Sequence, residues 1–210
     1  MDVACLNDGE PGFPSNLETY LGENAPSRIA TLGYLDVLSH PKMAVFCSAQ
    51  CPATLILQIH DLARQWAQSG ATVISGFHSP VEKECLRILL AGTQPVILCP
   101  ARSLVKMRIR KEWRKPLDEG RLLFLSAFPD HRHRSDTEMA FRRNRFVAAL
   151  ADRIFVPYAS PASKTEGLCK EVMAWGKPLY ILESEFDGNL TALGAKAIRP
   201  NKPIILSAAE

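Results

Sequence analysis

The sequence predicts an α/β protein with one parallel β-sheet of about six or seven strands and helices on both of its faces. The first observation behind this class is an alternation. From Lys42 onward, short apolar runs alternate with helix-length amphipathic segments. The second is that the apolar runs are nearly uninterrupted, as at residues 95–99, which is typical of strands buried on both faces. Together they indicate repeated strand–helix–strand units in an open sheet.

Most of the predicted elements have local start or stop signals. Pro52 suits the first turn of a helix, and Gly70 and Gly92 suit helix ends. The predicted strands are residues 43–47, 71–75, 95–99, 121–126, 153–157 and 178–183, with one further apolar run at residues 203–206. The predicted helices are residues 52–69, 81–91, 135–151 and 164–176, while residues 100–119 are expected to form a loop and a helix.

The first forty residues are expected to lie outside this alternation. Residues 1–12 contain Gly and Pro without periodicity, which predicts a flexible start. Residues 13–40 read as short helical pieces broken by Pro14, Pro26 and Gly33, with leucines and an isoleucine on one face. The sequence therefore divides into a small helical prelude over residues 1–40 and a main domain over residues 41–210.

The composition predicts a cytoplasmic protein with no membrane partner. No apolar run reaches the ~18 residues that a membrane span needs, and the acidic N-terminus lacks the basic region of a secretory signal. The six cysteines are scattered along the chain, so we interpret them as reduced thiols rather than a disulfide framework. They are Cys5, Cys47, Cys51, Cys85, Cys99 and Cys169.

Several motifs that would identify an enzyme or a cofactor protein are absent. The sequence contains neither the Gly-x-Gly-x-x-Gly dinucleotide pattern nor the Gly-x-Ser-x-Gly nucleophile pattern. His131 and His133, taken with Cys47 and Cys51, match no standard zinc spacing. We expect no metal, no cofactor and no catalytic residue, which makes an enzyme the less favoured interpretation.

Charge is concentrated in the middle of the chain. Residues 100–146 contain thirteen Lys and Arg against six Asp and Glu, although the whole chain has a net charge of only +3. This basic centre indicates either an anionic partner or a solvated helix face. Its densest part is a candidate secondary patch for an anion, made of Lys106, Arg108, Arg110, Lys111 and Arg114.

Ligands of open parallel sheets bind outside the carboxyl ends of the strands, so the residues that follow each predicted strand are the candidate site. They are glycine, hydroxyl, amide, aromatic and cationic residues: Ser48, Gly76, Phe77, His78, Arg143, Asn144, Arg145, Ser163, Lys164 and Thr165. Hydroxyls, an ammonium group and free amides at a helix N-terminus suit a phosphate. Ser48 also suits a simple helix cap, and Ser163 with Glu166 a capping box, so both interpretations stay open.

These strand-end segments, in this order, resemble the DNA-processing proteins of the DprA/Smf type, a Rossmann-like family related to the lysine-decarboxylase-like (LOG) proteins. The helix with Arg143, Asn144 and Arg145 matches the family's Arg-Asn-Arg signature, and residues 147–150 match the Ile/Val-x-x-Leu that follows it. Further matches are the aromatic-Pro-x-x-Leu at residues 13–17, Gly33, the Ser-Gly turn at 75–76, and a turn similar to Ser-Gly-Ser-x-x-Thr at 162–165.

The resemblance implies non-catalytic binding of single-stranded DNA at the strand ends, a homodimer, and a RecA-like recombinase as partner in natural transformation. The sequence departs from the family at two places. Ala49 stands where the family has the arginine of a Gly-Ser-Arg, and residues 78–82 replace Ala-Arg-Gly-Ile-Asp. Both changes remove an arginine, and the basic stretch at residues 106–115 is a candidate to replace that charge. We expect a divergent, stand-alone member without a winged-helix extension.

Three functions follow from this sequence. A single-stranded DNA-binding protein would stack bases on Phe77 or Phe128. A LOG-type nucleoside 5'-monophosphate phosphoribohydrolase would need Glu82 or Glu166 as its acid or base, and the glycines of the LOG turn are absent from residues 160–166. A nucleotide sensor would hold a small nucleotide in the same pocket and a partner protein on its surface.

Overall fold

A nine-stranded sheet organises the computed structural model, which describes residues 2–199. The strands are β1 (Ala4–Asn7), β2 (Arg28–Leu32), β3 (Lys42–Val45), β4 (Thr72–Ser75), β5 (Val96–Leu98), β6 (Leu122–Ser126), β7 (Arg153–Phe155), β8 (Leu179–Leu182) and β9 (Lys196–Ile198). Their order across the sheet is β1-β2-β6-β5-β4-β3-β7-β8-β9.

Seven α-helices accompany the sheet in the described part of the chain. They are α1 (Asn16–Leu21), α2 (Ala53–Trp66), α3 (Pro80–Ala91), α4 (Lys111–Asp118), α5 (Thr137–Leu150), α6 (Lys164–Ala174) and α7 (Gly188–Thr191). The longest, α2 and α5, have 14 residues each. Within residues 2–199, no helix has the length and apolar character that crossing a bilayer requires.

Strands β3 to β9 run parallel to one another, which confirms the predicted fold class. The sheet has nine strands because β1 and β2 extend it beyond β6 and β9 extends the other edge. Both β1 and β2 pair antiparallel, so the sheet is mixed at that edge. The apolar run at residues 203–206 lies outside the described residues.

The expectation of a flexible start and a helical prelude over residues 1–40 is corrected by these two edge strands. Ile29 packs on one face of the sheet, while Ala30 and Leu32 pack on the other, so this run alternates as a strand. Only the short α1 and two 3-10 turns at Gly22–Asn24 and Leu35–Ser39 are helical. A five-residue apolar run is too short for its periodicity to distinguish a strand from a helix.

Two apolar layers cover the two faces of the sheet. Met43 and Val45 of β3 pack with α2, α3 and α4, and Trp66 meets Phe155 edge-on with 5.2 Å between the ring centroids. Ala44 of the same strand faces the opposite layer, which α1, α5 and α6 cover. Helices on both faces, as predicted, require strands that are apolar at nearly every position.

The order of the strands reverses between β3 and β7. From β3 the chain adds β4, β5 and β6 on one side, and α5 then carries it back across the sheet to β7 on the other side of β3. The loops after β3 and β7 therefore leave in opposite directions. A crevice at such a reversal is the usual ligand position in open α/β sheets.

A buried lysine closes the carboxyl end of α5, at the amino ends of the strands and so at the opposite end of the sheet from this crevice. Nζ of Lys177 donates hydrogen bonds of 2.8, 2.6 and 2.6 Å to the carbonyls of Ala148, Ala149 and Ala151. The same ammonium lies 4.0 Å from the centroid of the Tyr20 ring. One side chain thus satisfies helix-end carbonyls that have no partner within the helix.

Replacing Lys177 by Met should lower the free energy of unfolding by about 1–3 kcal/mol, because buried carbonyls lose their donor. Urea denaturation of the variant and the wild type measures the difference. The matched control is Lys196→Met at an exposed position, where a change within about 0.5 kcal/mol is expected. Equal losses for both variants would show that the three hydrogen bonds contribute nothing specific.

Candidate nucleic-acid interface

A large open cavity lies over the carboxyl ends of β4 and β5, beside the reversal in strand order. Its volume of about 1040 Å³ is at the upper end of the roughly 300–1,000 Å³ typical of ligand pockets. We call this cavity the groove. It is lined by Gly76, Phe77, His78, Pro80, Lys83, Glu84, Leu86, Arg87, Leu90, Leu98, Pro100, Ala101, Arg102, Arg110, Glu112, Trp113, Ser135, Asp136, Thr137, Ala140, Phe141, Arg143, Asn144 and Lys164.

The groove is cationic. Six basic side chains line it: Lys83, Arg87, Arg102, Arg110, Arg143 and Lys164. Three carboxylates also line it, and each has a partner. Glu84 pairs with Arg87, Glu112 lies 3.8 Å from Arg110, and Asp136 accepts a 2.7 Å hydrogen bond from the Met139 amide. Within residues 2–199, no carboxylate lies within 4.0 Å of the nitrogens of the other four cations.

Arg143 forms the floor of the groove. Its residue surface is only 4% exposed, and its guanidinium lies directly against Gly76. Nη1 donates a 3.0 Å hydrogen bond to the Cys99 carbonyl, and Nε donates a 2.7 Å hydrogen bond to Oδ1 of Asn144. Burial lowers the pKa of Arg143, and the charge of Glu82 partly opposes this. An arginine keeps its charge in proteins, so the floor is a buried cation with no ion-pair partner among the described residues.

Gly76 is required by this arrangement. A Cβ at position 76 would coincide with the Arg143 guanidinium, so any side chain here would push the cation away. The sequence identifies the glycine and the arginine separately, 67 positions apart. The fold brings them together because β4 ends below the helix that carries Arg143.

Two Ser-x-Phe turns shape the walls on either side of β5. Ser75 Oγ donates to the Val45 carbonyl at 2.7 Å and accepts from the Phe77 amide at 3.2 Å. Ser126 Oγ repeats this pattern with the Arg102 carbonyl and the Phe128 amide at the same two distances. Both turns place the phenylalanine ring in the protein interior.

The expectation that Phe77 or Phe128 stacks on bases is therefore corrected, because these residues are only 4% and 8% exposed. Half-buried Phe141 also lines the groove and is more accessible than Phe77, while Trp113, another lining residue, is 8% exposed like Phe128. Phe77 also has a φ of 47°, the left-handed region that bulky residues rarely adopt. Its ring packs in the same apolar layer as Val81 and Leu98, and this burial holds the strained turn.

The Glu82 carboxylate lies below the groove and joins the loop after β3 to the loop after β4 by hydrogen bonds. Oε1 accepts a 2.9 Å hydrogen bond from the Cys47 amide, after β3. Oε2 accepts from the amides of His78 and Ser79, after β4, at 2.7 and 3.3 Å. The Ser79 hydroxyl in return accepts from the Glu82 amide, which completes a capping box at the start of α3.

Glu166 has the same role after β7. It accepts hydrogen bonds from the Ala162 amide at 3.1 Å, from Nδ2 of Asn189 at 2.6 Å and from Nζ of Lys170 at 3.2 Å. These donors, Asn189 first and Lys170 second, lower the pKa of Glu166. The carboxylate is therefore held ionised by donors from the loop after β7, from α6 and from α7.

The loops after β3 and β7 are joined through Ser48. Its hydroxyl accepts a 3.0 Å hydrogen bond from the Ser160 amide and lies 3.4 Å from the Ser163 hydroxyl. Ser163 in turn caps α6 by accepting from the Glu166 amide at 3.2 Å. Both predicted hydroxyls are thus engaged in closing the crevice at the strand reversal.

The fold brings six of the ten predicted site residues to the groove: Gly76, Phe77, His78, Arg143, Asn144 and Lys164. The other four do not line it. Ser48 and Ser163 hold the loops, Thr165 is half-buried next to them, and Arg145 turns to α6, where its Nη2 lies 2.6 Å from Oε1 of Glu171. Arginines two positions apart on a helix cannot share a face, which is why only one of them reaches the floor.

The predicted secondary basic patch continues the groove over α4. Arg108, Arg110, Lys111 and Arg114 line a second cavity, and Arg110 lines both. The Arg110 guanidinium lies 4.8 Å from the centroid of the Trp113 ring, so the aromatic surface holds the cation between the two cavities. Lys106 is exposed and borders neither cavity.

Sequence reasoning missed Lys83, Arg87 and Phe141 as groove residues. The signal for the first two was their spacing, since residues four apart lie on one face of a helix whose start at Ser79 and Pro80 is clear. Phe141 precedes Arg143 by two positions, and nothing in the sequence indicates which of the flanking phenylalanines is half-exposed. Within residues 2–199, no three His, Cys, Asp or Glu side chains converge in a way that could hold a metal ion.

Substituting Gly76 by Ala should displace the Arg143 guanidinium and break its hydrogen bond to Cys99. We expect the free energy of unfolding to fall by about 1–3 kcal/mol, measured in urea, because a buried donor loses its partner. Gly167→Ala on α6 is the control, since a Cβ there meets open space, and it should be neutral or stabilise by up to ~1 kcal/mol. If Gly76→Ala left the free energy of unfolding as unchanged as the control does, the packing of Arg143 on Gly76 would be contradicted.

Comparison with known protein families identifies relatives along almost the whole chain. A family model described as DNA recombination-mediator protein A matches residues 4–206. No curated protein matches the chain. The molybdenum cofactor binding protein of Rippkaea orientalis has a related fold, with a TM-score of 0.54 and 14% identity over 77% of this chain and 91% of that chain.

Two solved structures of DNA processing protein A (DprA) are more similar. The Streptococcus pneumoniae protein has a TM-score of 0.77 and 19% identity, covering 94% of this chain and 71% of that chain. The Helicobacter pylori protein, described for its unique single-stranded DNA binding mode, has a TM-score of 0.76 and 20% identity, covering 94% and 91%. These likenesses establish the fold, and the family model establishes the lineage: the chain belongs to the DNA recombination-mediator protein A family.

Proposed function

We propose that this protein binds single-stranded DNA in the groove, without catalysis, as part of DNA processing or recombination. The observation that carries the proposal is the floor of the groove, where Arg143 is buried against Gly76 with no carboxylate partner among the described residues. A buried cation that lacks an ion pair is costly to the folded protein. A phosphate placed above it supplies the missing negative charge.

The surrounding charges suit a chain of phosphates better than a single one. Lys83, Arg102 and Lys164 are free of ion pairs within residues 2–199 and surround the floor. The second cavity adds Arg108, Lys111 and Arg114 beyond the rim, and Arg110 joins the two. This continuous cationic path favours a polymer over the mononucleotide of a sensor.

The apolar lining suits single strands. Half-buried Phe141 places aromatic surface among the cations of the groove. Unpaired bases stack on aromatic side chains, with about 1–3 kcal/mol per base. In a duplex the faces of the bases are covered, so this combination favours DNA without a complementary strand.

Membership of the family and the likeness to the H. pylori protein support the same proposal. The family resemblance also extends the proposal to a cytoplasmic homodimer and to a RecA-like recombinase as partner. The phosphoribohydrolase alternative has less support. Glu82 and Glu166 are its two candidate acids or bases. Both carboxylates accept hydrogen bonds from loop amides, and their role is to hold these loops in place.

The test is fluorescence anisotropy with a labelled oligo-dT strand, titrated at several salt concentrations. The double variant Arg102→Ala and Lys164→Ala should bind more weakly to every sequence, and the slope of log K against log salt should fall by about 0.7 for each lost phosphate contact. The control is Lys196→Ala, an exposed cation on β9 at the far edge of the sheet.

An unchanged affinity and salt slope in the double variant would contradict the groove as the binding site. Competition distinguishes the polymer from the small ligand. If an equal concentration of mononucleotide displaced the labelled strand, the protein would be a nucleotide sensor instead. A thermal-shift series with the same ligands checks this independently, because a ligand at a hundred times its Kd stabilises by about 2.7 kcal/mol.

A further inference from the structure

Three residues other than glycine have a positive φ within residues 2–199, and all three lie in loops at the carboxyl ends of strands. Phe77 follows β4 with a φ of 47°, Lys106 follows β5 with a φ of 58°, and Ala162 follows β7 with a φ of 57°. This conformation is unfavourable for a residue with a Cβ, and it persists only where the surrounding structure imposes it. A strained residue of this kind therefore indicates either an interior contact that holds it or a role at the surface.

Interior contacts account for two of the three strained residues. The ring of Phe77 is buried in the apolar layer that α2, α3 and α4 form on the sheet. Ala162 is the third residue of a turn over residues 160–163, and its amide donates a 3.1 Å hydrogen bond to Oε2 of Glu166. In both loops the strained residue thus holds a part of the folded structure in place.

The strained turn at Lys106 differs because its side chain points out of the fold. The Met107 amide donates a 2.9 Å hydrogen bond to the Leu104 carbonyl, so Lys106 is the third residue of the turn, where a positive φ usually selects glycine or asparagine. Leu104 is buried, and the buried Ser103 hydroxyl accepts a 3.0 Å hydrogen bond from the Val105 amide. Lys106 itself is exposed, and no carboxylate within residues 2–199 lies within 4.0 Å of its ammonium.

This exposed cation lies on the loop that leads from one cationic cavity to the other. Along the chain it follows Arg102, which lines the groove, and it precedes Arg108, which lines the second cavity. Two residues of chain span at most about 7 Å, which limits the distance from the Cα of Lys106 to the Cα of Arg108. A lysine carries its charge on a flexible stem, so the ammonium can meet a ligand that passes between the cavities.

We propose that Lys106 binds a phosphate of the single strand where that strand crosses from the groove to the second cavity. This contact rests on the proposed function, and it adds a residue that lines neither cavity. A glycine at this position would relieve the strain but would carry no charge. The lysine keeps the strain and presents an unpaired cation, which is the combination expected of a residue that serves binding rather than stability.

Stability and DNA affinity should therefore change in opposite directions when Lys106 is replaced by Gly. The midpoint of urea denaturation should rise, because glycine adopts a positive φ without strain. In the anisotropy titration with labelled oligo-dT, the same variant should bind roughly 1.5- to 5-fold more weakly, the factor that an exposed ion pair contributes. The slope of log K against log salt should fall by about 0.7.

Two further variants separate the charge from the strain. Lys106→Met removes the charge and keeps the strained backbone, so it should bind as weakly as Lys106→Gly and unfold at the urea midpoint of the wild type. The matched control is Lys196→Gly, at an exposed cation of β9. Its urea midpoint should fall, because glycine weakens a strand, and its affinity for oligo-dT should stay unchanged.

Each part of the proposal has its own contradicting result. Wild-type affinity in both Lys106→Gly and Lys106→Met would overturn the phosphate contact, and a lower urea midpoint for Lys106→Gly would overturn the strain in the turn. The double variant Arg102→Ala and Lys164→Ala in the same titration reports on the proposed function. If it binds as tightly as the wild type, the groove is not the binding site, whereas if it alone binds more weakly, only the role of Lys106 is wrong.

Discussion

The contact between the Arg143 guanidinium and Gly76 is the constraint on which the rest of the site depends. It places a cation below the carboxyl ends of β4 and β5, and it requires a glycine after β4 and a free carbonyl at Cys99. Burial in the fold would normally demand an acidic partner for such a group. The described residues provide backbone and amide oxygens instead, which hold the guanidinium in place without neutralising it. The positive charge at the floor of the groove therefore has no ion-pair partner among the described residues, which is the basis of the proposed binding of a phosphate.

The carboxylates near the groove have a different role from the cations. Glu82 and Glu166 each bind loop amides, and Glu84, Glu112 and Asp136 are paired or cap a helix. Acids that hold loops leave the cationic surface continuous. Since Glu82 joins the turn with Cys47 to the turn with His78, the same carboxylate also passes a change in one loop to the other. The loops after β3 and β4 are therefore parts of one hydrogen-bonded support of the groove.

The predicted elements from residue 43 to residue 183 all correspond to elements of the structure, because strands buried on both faces and capped amphipathic helices leave strong local patterns. The predictions failed where the pattern was short. At Arg28–Leu32 an apolar run between Pro26 and Gly33 fits a strand or a helical turn, and only pairing with β6 decides between them. Phe77 and Phe128 were misassigned for a related reason. The sequence of a Ser-x-Phe turn does not show where the phenylalanine ring points. The direction depends on which carbonyl accepts the hydrogen bond of the serine hydroxyl, and that carbonyl belongs to a distant segment.

The sequence by itself determined the fold class, the sheet edge at which the groove lies, the basic character of the groove and the family resemblance. These follow from the local periodicity, the charge and the order of the segments, all of which can be read directly from the sequence. The tertiary structure decided which of several similar residues line the groove. Arg143 reaches the floor while Arg145 pairs with Glu171, and Lys83 and Arg87 line the groove from α3, where Glu82 was the candidate that the sequence offered. Such choices depend on distances between segments far apart in sequence, which no local pattern records.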